Sequence, residues 1–448
     1  MSNLDALVDT VVRRLPGGAR IASFQTRAAS FAEQGLQGAA NLLVNVILAR
    51  NLTQSGFATI GLLLGIHYFV LGLHRTTLVL PFILDASGSE SEAIAAERHW
   101  WWANLMLIGA IAAFLALVCV IAAFAMPGEG LRWAREAIGL AVVVTPSLLL
   151  FEFGRRVLYQ RRLPVTAAVA SAVYLVLNLG SAWLLTHLDR SALAGGMAWV
   201  VAGLGGWTIA TLAAPPGPPQ LRTALRSWWQ HRSFAFWQGM TTLPYAVYNS
   251  SVSVVIGIFG GPAAVAGFAA ARTLTNPAIS MVTAVDSLDK PRAARALAAN
   301  GIAGLANSVG RTRKLLVILC GGYLGLLVLA ADPILDLAFG NIYADHVNEV
   351  RILAVAFFLI CMNQPSETFV IVLRQSKLLL VTRIFAATVA IIALAIGARY
   401  GLMGTAIALL ATHALNLTSL RFAERAAARR WQRVNSLELN TGGVIQGA

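Results

Sequence analysis

Apolar stretches about as long as a helix needs to cross a bilayer recur about twelve times along this chain. They fall at roughly 28–50, 57–82, 101–126, 137–154, 164–187, 192–213, 233–259, 263–285, 314–338, 350–373, 378–398 and 402–420. Backbone in hydrocarbon must satisfy its own polar groups, so runs of this kind span as helices. With 57% hydrophobic and 12% charged residues, 448 residues are too apolar for a soluble protein of that size. An all-α, polytopic membrane protein is expected.

The first span is not uniformly apolar. At 100° per residue, Ser30, Glu33, Gln34, Gln37, Asn41 and Asn45 share one face, with Leu36, Leu42, Leu43, Val46 and Ile47 on the rest. Polar groups in hydrocarbon need partners or water, so this stripe is expected to face a cavity or another helix. Between Ser233 and Phe259 a second stripe holds Gln238, Thr241, Thr242, Tyr245, Asn249 and Ser253, with the step from Gln238 to Asn249 matching that from Gln34 to Asn45. Gly35 and Gly239 follow the two glutamines. Gly56-Phe57-Ala58 is echoed by Gly267-Phe268-Ala269, and Pro146-Ser147 before Leu158-Tyr-Gln-Arg-Arg-Leu163 by Pro365-Ser366 before Leu373-Arg-Gln-Ser-Lys-Leu378. Four matches in one order imply a duplication.

Pro215-Pro-Gly-Pro-Pro219, followed by a basic stretch to Arg232, can be neither helix interior nor membrane and divides the halves. The expected organisation is a cytoplasmic tail with an amphipathic helix at 1–27, six-helix lobes at 28–214 and 233–420, a cytoplasmic linker at 215–232 and a cytoplasmic tail at 421–448. Six spans per half give the copies the same orientation, hence two pseudo-symmetric lobes around a central cavity.

The net charge of +14 is topological. With the N-terminus inside, the inner segments hold the arginine and lysine clusters, and the outer ones keep only Arg50, Arg132, Arg135, Arg190 and Arg399. This positive-inside bias predicts cytoplasmic termini and removes the case for a nucleic-acid partner. Cys119, Cys320 and Cys361 lie in apolar runs and imply neither disulfides nor a metal site. Arg13-Arg14 precedes Leu-Pro-Gly-Gly rather than an apolar core, so no signal peptide is expected. Leu4, Leu7, Val8, Val11, Val12 and Leu15 suggest a short surface helix, and Trp100-Trp101-Trp102 an interfacial belt. The longest outer loop is expected around Asp332–Glu349.

Histidines are scattered, no phosphate loop precedes a helix, and the outer loops are short, so an enzyme is not expected. Transport is left, and the intramembrane charges support it. Arg272, near mid-membrane in an Ala-rich helix, should face water, an acid or an anionic ligand. Arg75 lies nearer the cytoplasm, where it could bind an anion or snorkel; Arg27 could guide an anion inward or serve as an ordinary basic flank. Glu33 could take a coupling proton, but neutralising Arg27 or Arg75 is the favoured role. Glu152 is expected to pair with Arg156, and Arg383 with Glu367. Gln37, Asn41, Asn45, Tyr245, Asn249 and Asn276 complete the candidate site. Their amides and hydroxyls suit sugars, or they join helices. Guanidiniums suit diphosphate, so a headgroup carrying both on a lipid tail fits the set.

The stretches Asn45-Val-Ile-Leu-Ala-Arg-Asn-Leu-Thr-Gln-Ser-Gly-Phe-Ala58, Phe151-Glu-Phe-Gly-Arg-Arg-Val-Leu-Tyr-Gln-Arg-Arg-Leu163 and Gly261-Pro-Ala-Ala-Val-Ala-Gly-Phe-Ala-Ala-Ala-Arg-Thr-Leu-Thr-Asn-Pro277, continuing to Pro291-Arg-Ala-Ala-Arg295, carry a resemblance. The chain resembles bacterial polysaccharide flippases of the multidrug/oligosaccharidyl-lipid/polysaccharide (MOP) exporter superfamily, over most of its length. The resemblance implies a MATE-like fold of twelve helices, alternating access, and transfer of an undecaprenyl-diphosphate-linked oligosaccharide to the outer leaflet of the bacterial inner membrane for exopolysaccharide synthesis. In the similar lipid II flippases, arginines on the first, second and eighth helices matter, and Arg27, Arg75 and Arg272 stand in similar places. The lipid-linked oligosaccharide and the membrane are the implied partners, with polysaccharide polymerase and export proteins of such a pathway. No cofactor is implied, and a proton or sodium gradient could supply the drive. A cation-coupled drug exporter of the same fold and a non-transporting member of an assembly complex stay open.

Overall fold

The computed structural model describes residues 18–86 and 90–440; side chains are described within these ranges except 18–31, 90–93, 245, 248, 249, 287, 288, 291 and 434–440. The expected surface helix around Leu4–Leu15 lies outside the described residues. The chain is all-α, a multi-pass membrane protein with no strand among the described residues. It forms two compact units, Met1–Thr273 and Leu274–Ala448.

In the first unit, α1 (Gly18–Asn51) and α6 (Pro164–Leu188) run side by side in one direction, because Ser171 Oγ reaches Glu33 and Asn51 Nδ2 reaches Thr186 Oγ1 at 2.8 Å. α2 (Gln54–His74) starts at Thr53, whose hydroxyl accepts the Gly56 amide. It lies along α5 (Arg132–Gln160), held at one end by the Thr59 hydroxyl on the Trp133 carbonyl (3.1 Å).

After α2 the helix widens into a π segment, Arg75–Val79, before a short α3 (Leu80–Asp85). Pro81 has no N–H for the carbonyl four residues back, and the wider turn accommodates it: the Leu80 N–H bonds Arg75 O. The Thr76 and Thr77 hydroxyls bond carbonyls in the preceding turn.

α4 (Glu90–Ala125) and α7 (Ala192–Ala213) flank α5. Along the α5–α7 seam the contacts advance in step: Leu140 with Gly196, Ser147 with Gly203, Phe151 with Gly206, and Gly154 with Ala210. Small residues on α7 let the helices close up there, as in other membrane-helix seams. Trp100 and Trp101 are fully buried rather than part of an interfacial belt: Trp100 donates to Asp85 (2.9 Å) and Trp101 packs edge-on to Phe153.

α8 (Leu221–Gln230) occupies the basic linker and leads through His231 into α9 (Arg232–Leu329). A straight helix of 98 residues would extend roughly 150 Å. Instead, the backbone turns at Gly261 and Gly301, both at positive φ, which bring Gly257 back against Val265 and Gly304 against Ala296. The second unit holds the rest of α9 with α10 (Ala331–Phe339), α11 (Val347–Val372), α12 (Ser376–Gly397) and α13 (Gly401–Asn440). Gly401, also at positive φ, folds Gly397 onto Gly404. The expected outer loop at 332–349 is instead helical, α10 plus a 3₁₀ segment, and buries Leu335, Phe339 and Tyr343.

Nine helical runs among the described residues are long and apolar enough to cross a membrane. Gly261, Gly301 and Gly401 turn the backbone within three of them, and the polar-striped α1 is not among the nine.

Candidate functional site

The π segment sets Arg75 beside the C-terminal half of α5, where five charged side chains form one lattice within the first unit. Glu152 Oε1 accepts from Arg75 Nε (2.9 Å) and from Arg156 Nη2 (2.9 Å), while Oε2 accepts from Arg155 Nη1 (3.0 Å). Arg155 bridges on to Glu33 Oε1 at 2.5 Å. Glu33 also accepts from Ser171 (3.1 Å), Tyr159 (3.0 Å) and Gln34 (3.0 Å).

Glu33 is thus fully occupied as an acceptor, and the cation it meets among the described residues is Arg155; of the two expected partners, Arg75 pairs with Glu152 instead, and the side chain of Arg27 lies outside the described residues. The spacing of Glu33 on α1 said that it needed a cation but could not say which helix would supply it. The expected pairs Glu152–Arg156 and, in the second unit, Glu367–Arg383 (3.0 Å) are present.

Three guanidiniums face two carboxylates, leaving one positive charge in excess. The excess is displayed by Arg75: it spends only its Nε on Glu152, and its side chain is 42% exposed. Among the described residues no acceptor takes its two Nη groups.

Two turns back along α2 stands Tyr68, on the same face as Arg75 by heptad spacing. The Arg272 guanidinium lies 5.4 Å from the Tyr68 ring centre, within cation–π range. Tyr68 is in electrostatic reach of both arginines. The approach of α9 that delivers Arg272 depends on small residues of α2, with Gly61 against Ala269, Gly65 against Ser250 and Ser253, and Gly72 against Ala246. The result is a two-arginine face on α2, some 10 Å long by helix rise.

The other candidates distribute as follows. On α1, Asn45 is buried and donates to the Asn41 carbonyl (2.7 Å), while Gln37 and Asn41 are half-buried. Asn276 is half-buried on α9 in the second unit. The side chains of Arg27, Tyr245 and Asn249 lie outside the described residues.

Sequence reasoning missed Tyr68 and the bridging role of Arg155. The seven-residue step from Tyr68 to Arg75 was a signal available for the first. Nothing in the spacing singled out Arg155 among four neighbouring arginines. One of those, Arg161, grips the buried Glu97 with two bonds of 2.7 Å, a structural use for a charge read as topological.

Searches against protein-family models and curated proteins find no match. Solved structures do match. An inward-facing multidrug resistance MATE family transporter of the MOP superfamily superposes with a TM-score of 0.67 at 15% identity, over 91% of this chain and 99% of the other. The fold is that of the MATE transporters. An outward-facing structure of a multidrug resistance MATE family transporter matches at TM-score 0.61 and 16% identity, covering 92% and 96%. A MOP superfamily transporter from Pyrococcus furiosus matches at 0.60 and 16%, covering 95% and 98%; reverse polarity of its binding pocket is reported to suggest a different function.

Proposed function

We propose that this chain is an alternating-access transporter that moves an undecaprenyl-diphosphate-linked oligosaccharide from the inner to the outer leaflet of the bacterial inner membrane for exopolysaccharide synthesis, with both termini cytoplasmic. The observation that carries the reading is the charge of the α2 face. Arg272 lies over the Tyr68 ring, Arg75 follows two turns further along, and the carboxylates Glu33 and Glu152 are already paired with arginines. Such a face attracts a diphosphate and repels a cationic drug.

In this mechanism the forked donors of Arg75 and Arg272 take the diphosphate oxygens. Arg27 draws the headgroup inward, and Gln37, Asn41, Asn45, Tyr245, Asn249 and Asn276 offer hydrogen bonds to sugar hydroxyls. Glu33 acts through Arg155, holding the lattice from which Arg75 projects. Transport then requires different headgroup affinities in the inward- and outward-open states, and structures of this fold facing both ways support such an alternation. The neighbour with reversed pocket polarity supports the view that this fold accepts more than one ligand charge.

The test is transfer of a fluorescent undecaprenyl-diphosphate oligosaccharide across liposomes containing the purified chain. Transfer that Arg75→Gln and Arg272→Ala abolish in folded protein is the expected result. A second reading, a cation-coupled multidrug exporter, is favoured by the multidrug neighbours. Efflux of a lipophilic cation without transfer of the glycolipid would replace the proposal with it.

A further inference from the structure

The linker that the sequence reads as basic and irregular contains the ten-residue helix α8, and its circumference divides into three sectors. Ala224 and Ser227 are buried and Trp228 is half-buried on the side facing the protein. Leu221, Leu225 and Trp229, four residues apart, form an adjoining apolar edge and are 49%, 52% and 60% exposed. Arg222 and Arg226, both exposed, come next around the axis, and then Thr223 and Gln230. A helix in water has no use for the middle sector. One lying in a membrane interface needs these three sectors in this order.

We propose that α8 is a membrane-surface anchor: its Leu221–Leu225–Trp229 edge enters the inner leaflet, and Arg222 and Arg226 bind the headgroups of anionic phospholipid. Continuity supports the placement. Only His231 separates α8 from α9, whose first turns carry exposed Phe236, Trp237 and Met240 into a membrane span. An indole followed by more aromatic side chains at a span's start marks the interface. Arg232 lies 4.3 Å over the Trp229 ring and donates to the Trp229 carbonyl at 2.9 Å, which fixes the indole at the edge. The helix cannot swing away, because its end is tied down: His231 meets Asp85 at 3.0 Å and the Trp100 ring, and Trp102 donates to the Pro218 carbonyl. The choice of leaflet rests on the positive-inside assignment, whereas membrane contact does not, and neither depends on what the chain transports.

The test uses full-length protein in phosphatidylcholine liposomes with or without phosphatidylglycerol. Single labels at Leu225→Cys and Thr223→Cys carry an environment-sensitive fluorophore, and the parent chain supplies the background from its own cysteines. The label at 225 should be quenched by nitroxide lipid and spared by iodide, with the reverse at 223. Replacing Arg222 and Arg226 by Gln should lower co-purified phosphatidylglycerol, each arginine being worth roughly fivefold. Equal iodide quenching at both positions overturns the anchor. Protection from iodide without lipid quenching also overturns it, since a protein would then cover the edge. Unchanged phosphatidylglycerol retention in the arginine variant overturns the headgroup assignment.

Discussion

Glu33 on α1 and Arg155 on α5 meet at 2.5 Å with side chains 0% and 3% exposed, so the first helix is joined to the fifth through a buried ion pair. Removing one partner from such a pair strands a charge, at a cost of about 3–5 kcal/mol. Glu33→Gln and Arg155→Met should each lower the thermal midpoint of the purified protein sharply. The double variant strands less charge and should lose less than the two single losses together. Simple additivity would mean that the two side chains do not support each other.

The Tyr68 ring carries Arg272 through its face rather than its hydroxyl. Tyr68→Phe should therefore keep headgroup binding, while Tyr68→Leu should weaken it by the cation–π increment, about 0.5–2 kcal/mol, or between twofold and thirtyfold. Titration of a soluble diphosphate-sugar analogue against both variants checks this. Equal losses in both would assign the effect to the hydroxyl.

Asp289 lies between membrane-spanning segments in the second unit, buried, with one carboxyl oxygen bonded by Thr312. Burial raises its pKa above the usual carboxylate value, against the pull of the Thr312 bond and Arg292. The folded chain then holds this proton at pH values where the unfolded chain has released it, so the sign is opposite to that of a salt-bridged acid. Stability from this group is greatest below the unfolded value of about 4 and declines as pH rises through the raised folded value. Asp289→Asn should flatten that decline and gain stability over wild type toward neutral pH, read as thermal midpoints across a pH series. A midpoint difference independent of pH would show that Asp289 does not titrate in this way.

The fold was largely legible because span length is a coarse signal, set by the bilayer and not by side-chain partners. Partners were less legible. Glu367 found Arg383 because both lie near the same turn, but Glu33 meets a cation that α5 delivers, with Tyr159 of α5 and Ser171 of α6 beside it, and the spacing of α1 carries no sign of either helix. The π segment at Arg75 could have been suspected from Pro81, which lacks the N–H for the carbonyl four residues back; the Thr76 and Thr77 hydroxyls bond the Gly72 and Leu73 carbonyls of the preceding turn.

The repeat has a structural counterpart that residue matching set in a different register. Arg162 and Arg374 both end their helices at left-handed φ, 57° and 56°. Each turn closes alike, with Leu163 N–H on Leu158 O and Gln375 N–H on Val370 O. The turns therefore pair Arg162 with Arg374, whereas the sequence match sets Lys377 opposite Arg162. Backbone shape survives in these turns where side-chain identity has drifted.

The α5–α7 seam offers the sharpest contrast between glycines. A Cβ on Gly203 would sit 2.9 Å from the Ser147 carbonyl oxygen and 3.0 Å from its carbon, and neither backbone atom can move without shifting α5 just after Pro146. A Cβ on Gly180 of the neighbouring α6 would meet nothing within 4 Å. Gly203→Ala should thus cost stability through overpacking, about 1–3 kcal/mol. Gly180→Ala should gain about 0.5–1 kcal/mol from helix propensity. Because α5 carries Glu152 and Arg155 within roughly two turns of Ser147, the first change should also loosen the lattice behind Arg75. Thermal midpoints of the two variants should move in opposite directions, and a Gly203→Ala protein as stable as wild type would mean that α7 does not approach α5 this closely.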